Sequence, residues 1–147
     1  MRINRITVVL ILMFLVIIFA NANTNTKTVK VRIHDKRYTF EIAETQEERQ
    51  KGLMFRKKLD QNSGMLFIFD RTDYLTFYMK DTFIPLDIAF IDSDFTIVDI
   101  QQLQPLDETL VISKFKAQYA LEVNRRFFEK AGLSVGDKFE LITTLGE

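Results

Sequence analysis

The 147-residue chain has no cysteine, no tryptophan and a single histidine, and these absences remove whole classes of chemistry. Without cysteine there is no disulfide and no thiol nucleophile, so stability must come from the hydrophobic core. His34 lies in His34-Asp35-Lys36, which reads as a hairpin turn, so a histidine base or a histidine-rich zinc site has no support. Charge of one sign is missing as well. Twenty basic residues balance twenty acidic ones, which gives the chain no electrostatic reason to bind nucleic acid. No glycine-rich stretch resembles a phosphate cradle, and Ser63-Gly64 lacks the setting of a nucleophile elbow. Asp92-Ser93-Asp94 lacks the further ligands and the glycine of a calcium loop, so it reads as a hairpin turn. No metal and no cofactor is expected.

What the chain does have begins at its N-terminus. Arg2 and Arg5 precede an almost uninterrupted apolar run from Ile6 to Phe19, followed by Ala20-Asn21-Ala22. A basic region, an apolar region and small residues make up a secretory signal, and the run is shorter than the ~20 apolar residues of a spanning helix. Residues 1–22 are therefore expected to be cleaved, leaving an exported periplasmic or extracellular protein. The rival reading keeps residues 6–20 as a membrane anchor. Asn23 to Thr28 reads as a disordered polar tether, and residues 29–147 as one domain, expected to be a monomer.

Within that domain the apolar pattern is mainly that of strands. Val29, Val31 and Ile33, then Tyr38, Phe40 and Ile42, alternate with polar residues and predict two strands joined by a tight turn. Thr45-Gln46-Glu47-Glu48 matches a capping box for a two-turn helix to about Lys51, with Gly52 as a left-handed stop. Met65 to Phe69 predicts a strand buried on both faces, and Asp70 to Asp73 a turn. Strands follow over Tyr74–Met79, Leu86–Ile91 and Phe95–Leu103, with Phe95, Ile97 and Asp99 on one face. Gln104–Lys116 reads as an exposed loop with a minor strand at Leu110–Ile112. Tyr119–Val123 and Phe139–Ile142 complete the set, separated by a helix from about Arg125 to Ala131 that Asn124 caps and Gly132 stops. About eight short strands and two short helices predict a small β-barrel, closed or partly open, or a curved β-sandwich.

Six motifs then converge. Gly52-Leu53-Met54-Phe55-Arg56, Gly64-Met65-Leu66-Phe67, Phe77-Tyr78-Met79-Lys80-Asp81-Thr82, Pro85-Leu86-Asp87-Ile88, Leu121-Glu122 and Gly136-Asp137 occur in the order seen in the family called domain of unknown function 192. The chain resembles that family from about Val29 to Leu141. It departs from it at Tyr78, where the family usually has tryptophan, and at Asp81, where it usually has asparagine. The resemblance implies a small β-rich, barrel-like fold, with many exported members and no established activity.

Read from the residues themselves, the candidate site is a set of charges in apolar strands. If Leu86, Ile88 and Phe90 share one face, Asp87 lies on the other with Ala89 and Ile91. Glu122 by the same argument lies beside Ala120, opposite Tyr119, Leu121 and Val123. Buried carboxylates need partners; Lys80 lies across the short Asp81-to-Pro85 connection from Asp87, and Arg56 emerges from a neighbouring motif. Arg56, Lys80, Asp81, Asp87, Glu122 and Tyr78 are the expected ligand-binding residues, with Tyr78 offering a flat face to a sugar. The functional reading is a non-catalytic module of the cell envelope for a small polar or anionic ligand such as a sugar. The alternatives are a glycan hydrolase with Asp87 and Glu122 as acid and base, and a protein-interaction module that docks through a sheet edge or the Gln104–Lys116 loop.

Overall fold

The computed structural model describes residues 26–142, so the apolar N-terminal run and its cleavage point lie outside the described residues. Nine strands and two short helices follow in the order β1 (Thr28–Ile33), β2 (Lys36–Ala43), α1 (Gln46–Lys51), β3 (Gly64–Asp73), β4 (Thr76–Phe77), β5 (Leu86–Ile91), β6 (Ile97–Leu103), β7 (Val111–Ile112), β8 (Ala117–Asn124), α2 (Phe127–Ala131) and β9 (Glu140–Ile142). Seven strands form one mixed sheet in the order β6-β5-β8-β3-β2-β1-β9, with β2 and β3 parallel, while β4 and β7 pair as a separate ribbon. The expectation of a mainly β, partly open fold holds. The two outermost strands approach each other, but among the described residues one bridge, Thr96 to Lys138 just before each of them, joins the two edges, together with flanking bonds such as Ile97 N–H to the Asp137 carbonyl at 2.8 Å. The sheet is strongly curved and is not a closed barrel.

Its two faces carry separate cores. One gathers Val31, Phe40, Leu66, Ala89, Ile91, Leu121 and Val123 under Phe127 and Phe128 of α2. The other gathers Met65, Phe67, Leu86, Ile88, Phe90 and Ala120 under Leu53, Leu75, Phe77 and Met79. Alternation along each strand assigns residues to the two cores, and β5, covered on both sides, is buried at all six positions.

Several local readings change. A bulge between Phe90 and Ile91 pairs Ile91 with Ile97 and Phe90 with Asp99, so Ile97 and Asp99 point to opposite faces instead of sharing one. Asp70–Asp73 extends β3 rather than turning, and the strand expected over Tyr74–Met79 contracts to Thr76–Phe77. The second helix begins at Phe127, after Arg126 in a left-handed conformation, and no side chain caps it. Asn124 instead donates from Nδ2 to the carbonyls of Leu59 and Asp60, at 3.0 and 2.9 Å. Gly52 ends α1 with φ 45° and ψ −130°, a conformation open to glycine but outside the left-handed helical region expected for it. The Thr45–Glu48 capping box forms as read: Glu48 N–H donates to Thr45 Oγ1 at 3.2 Å and Thr45 N–H to Glu48 Oε2 at 3.0 Å. Among the described residues no helix is long and apolar enough to cross a membrane.

Candidate functional site

Glu122 sits in the middle of β8 between two apolar neighbours, Met65 of β3 on one side and Ile88 of β5 on the other. Directly paired residues share a face, so its carboxyl enters the core that Phe67 and Phe77 line. Only 5% of the residue is exposed. Among the described residues no donor or cation reaches its carboxyl, and burial alone pushes its pKa up to about 8. Gly64 makes that position possible. A Cβ on Gly64 would meet the Glu122 carbonyl oxygen at 2.5 Å and Val123 Cγ1 at 2.7 Å, so β3 passes β8 at a spacing only glycine allows.

The carboxyl faces a cavity of about 200 Å³. Phe67 and Phe69 of β3, Phe77 of β4, Tyr78 just after it, and the Gly52–Met54 turn form its apolar walls; Gln46, Arg49, Gln50 and Lys51 of α1 form its polar lip. Six residues make α1 and none is buried, so the helix closes no core and instead borders the opening. Arg49 is fixed there: its guanidinium lies 5.0 Å from the centre of the Phe69 ring and donates to the Ile68 carbonyl at 2.9 Å and to the Glu44 carbonyl.

The six residues expected from sequence do not form one cluster. Glu122 and Tyr78 line the cavity, Tyr78 with 40% of its surface exposed. Arg56 lies away from them, in a two-pronged ion pair with Glu41 at 2.5 and 2.7 Å whose hydrogen bonds raise the pKa of the guanidinium. Lys80 is exposed in the turn after Tyr78, where its carbonyl accepts from the Thr82 hydroxyl at 3.0 Å. Asp81 holds a left-handed φ of 50°, and its carbonyl accepts from Phe55 N–H at 2.8 Å.

Asp87 belongs to the other face. It pairs across β5 and β8 with Val123, while Ile88 pairs with Glu122. Its Oδ2 accepts the Arg126 amide at 2.7 Å, and Oδ1 lies 3.2 Å from Arg125 Nε, whose hydrogen is directed to the Leu86 carbonyl. Burial raises its pKa, while the Arg126 amide and the Arg125 guanidinium pull it down. Asp87 thus braces the entry to α2. Two carboxyls on opposite faces of a sheet cannot flank one glycosidic bond, so the paired acid and base of the hydrolase reading are not assembled here.

Sequence reasoning missed Arg49 and Gln50 at the lip, Phe69 in the wall, and Asp99. Asp99 is buried, accepting from Gln101 Nε2 at 2.7 Å and Lys114 N–H at 3.1 Å, with Lys114 Nζ 3.5 Å away. It ties β6 to the segment after β7. Among the described residues no three of His, Cys, Asp or Glu converge as a metal site would require.

Residues 27–141 match the profile of the family described as an uncharacterized ACR, domain of unknown function 192. The chain belongs to this family. Within it, the UPF0127 protein PH1112 of Pyrococcus horikoshii is 30% identical over 107 residues, covering 69% of this chain and 86% of that protein. A solved structure from Sinorhizobium meliloti, described as that of a candidate transcription regulator, superposes with a TM-score of 0.72 at 34% identity, covering 78% of this chain and 92% of the other. A protein of unknown function from Novosphingobium aromaticivorans gives 0.70 at 36% identity, covering 78% and 84%. Motifs that define the family in sequence meet around the cavity: Gly52–Met54, Phe67, Phe77, Tyr78, Thr82 and Glu122 all line it.

Proposed function

We propose that this member of the family is a non-catalytic binding module that takes a small neutral polar molecule, of monosaccharide size, into the cavity over Glu122. The observation that carries this is a buried carboxyl left without a protein partner at a pocket with apolar walls and a polar lip. An unsatisfied buried polar group costs stability, and a ligand that hydrogen-bonds to it removes that cost. A volume of about 200 Å³ lies below the ~300–1,000 Å³ of drug-sized sites and so limits the occupant to one small unit. Aromatic walls suit the apolar face of a sugar ring, and the protonated carboxyl can donate one hydrogen bond and accept another. We also propose export to the cell envelope, on the strength of Arg2, Arg5 and the apolar run that follows them.

The test is a thermal-shift panel of neutral monosaccharides on the purified full chain. A ligand at 100 times its Kd stabilises by about 2.7 kcal/mol, which raises Tm by several degrees. Glu122→Leu, which keeps the apolar packing, should abolish the shift; Glu122→Gln, which keeps a donor and an acceptor, should retain most of it. Hits that survive Glu122→Leu overturn the assignment.

A second reading has one observation in its favour, the pKa near 8, because a carboxyl poised close to neutral pH is suited to general acid–base work. The same variants separate the two. Chemistry that moves a proton at Glu122 fails in Glu122→Gln, whereas binding to the neutral acid does not.

A further inference from the structure

We propose that the Glu122 cavity is the closed end of a longer cleft, and that its natural ligand is a neutral glycan chain with one terminal residue in the cavity and the next residues laid along Tyr74. This rests on the binding reading above and extends it from a single sugar to an oligomer. A second, more open cavity of about 550 Å³ adjoins the first, and the two share Arg49, Phe69 and Thr76 as common wall. The shared wall is rigid, because Arg49 is held over Phe69 and bonded to two backbone carbonyls. Those bonds use only Nη1, so the rest of the five-donor guanidinium is available to hydroxyls passing over it.

Each compartment has its own exposed tyrosine, Tyr78 in the first and Tyr74, 56% exposed, in the second. Tyr78 follows Tyr74 by four residues, so the two stand at most ~13 Å apart, a reach that two or three linked sugar rings can cover. The charges along the open part of the cleft favour a neutral occupant. Arg71 stands between Asp70 and Asp73 in sequence and its Nε lies 3.7 Å from Asp73, so that part presents no single sign to an ionic ligand, while Arg49 and Lys51 at the lip of the first cavity can donate to hydroxyls beside the neutral Glu122.

An array of neutral mono- to hexasaccharides, followed by calorimetric titration of the strongest series, tests this on the full chain. Support is at least a tenfold gain in affinity from mono- to trisaccharide, removed by Tyr74→Ala while monosaccharide affinity stays within twofold of the parent. Equal affinity for the monomer and its oligomers overturns the cleft and leaves the single-sugar pocket standing. A chain-length gain that persists in Tyr74→Ala also overturns it. Loss of all sugar binding in the parent chain overturns both proposals together.

Discussion

Asp87 and Glu122 are both carboxyls, both about 95% withdrawn from solvent, and sit one position apart in register on adjacent central strands, yet they do different things. Asp87 faces the core under α2, where an amide and a guanidinium take up its charge. Glu122 faces the core under β4 and meets only apolar side chains and a cavity. Burial is therefore not what separates a structural acid from a candidate functional one. Charged and polar neighbours are: Asp87 has an amide on Oδ2 and a guanidinium beside Oδ1, an oxygen that itself accepts no hydrogen bond, whereas Glu122 has neither and borders a cavity.

The largest expected effect is on how stability depends on pH. With its folded pKa near 8 and an unfolded value near 4.5, Glu122 binds more protons in the native state than in the unfolded chain between those limits. Stability should thus be fully retained below about pH 4.5 and lost as pH rises through 8, by about 5 kcal/mol at the limit. Acids with lowered values, such as Glu48 beside its capping amides, act with the opposite sign and lose their contribution as pH falls. Urea denaturation of the parent and of Glu122→Gln from pH 5 to 9 isolates the Glu122 component. Parallel curves would mean that Glu122 has a partner after all.

Removing Asp87 should come next. Asp87→Ala takes away the acceptor for the Arg126 amide and the counter-charge beside Arg125, which keeps its hydrogen bonds to Leu86, Gln102 and Leu103, a change expected to cost about 3 kcal/mol in denaturation. Sugar binding at the Glu122 cavity should be unchanged once the variant is folded. If the two acids instead worked as a pair, Asp87→Asn would abolish function with little loss of stability. Arg56→Ala breaks only a partly exposed pair with Glu41, so about 1 kcal/mol is expected, again with binding intact.

How much of this contrast could be read in the sequence depends on its range. Period-2 alternation put Asp87 with Ala89 and Ile91, and Glu122 with Ala120, on the faces where the structure has them. Placing the acids on opposite faces of one sheet also needed the β5–β8 register, a pairing between strands about 30 residues apart that no local pattern encodes. Arg56 and Lys80 looked like partners because they were near in the motif order, but Glu41, from a strand not counted as part of the site, is what Arg56 meets. The lip formed by α1 left a weaker trace. Its capping box was legible, but a six-residue helix without a buried face gives no hint of the groove it borders.

Asp81 carries the smallest prediction and the sharpest division between contact and support. At φ 50° most side chains strain the backbone, and asparagine, the non-glycine residue found most readily at left-handed positions, tolerates that region better than aspartate. Asp81→Asn should therefore gain about 0.5 kcal/mol, and Asp81→Ala should lose about as much. The Asp81 carbonyl holds Phe55 N–H, joining the turn that carries Met54 to the turn that carries Thr82, so the two walls of the cavity mouth are linked through its backbone. Because that link does not use the carboxylate, ligand affinity in Asp81→Asn should equal that of the parent. A loss of affinity in Asp81→Asn without a loss of stability would give the carboxylate a direct contact and return Asp81 from support to site.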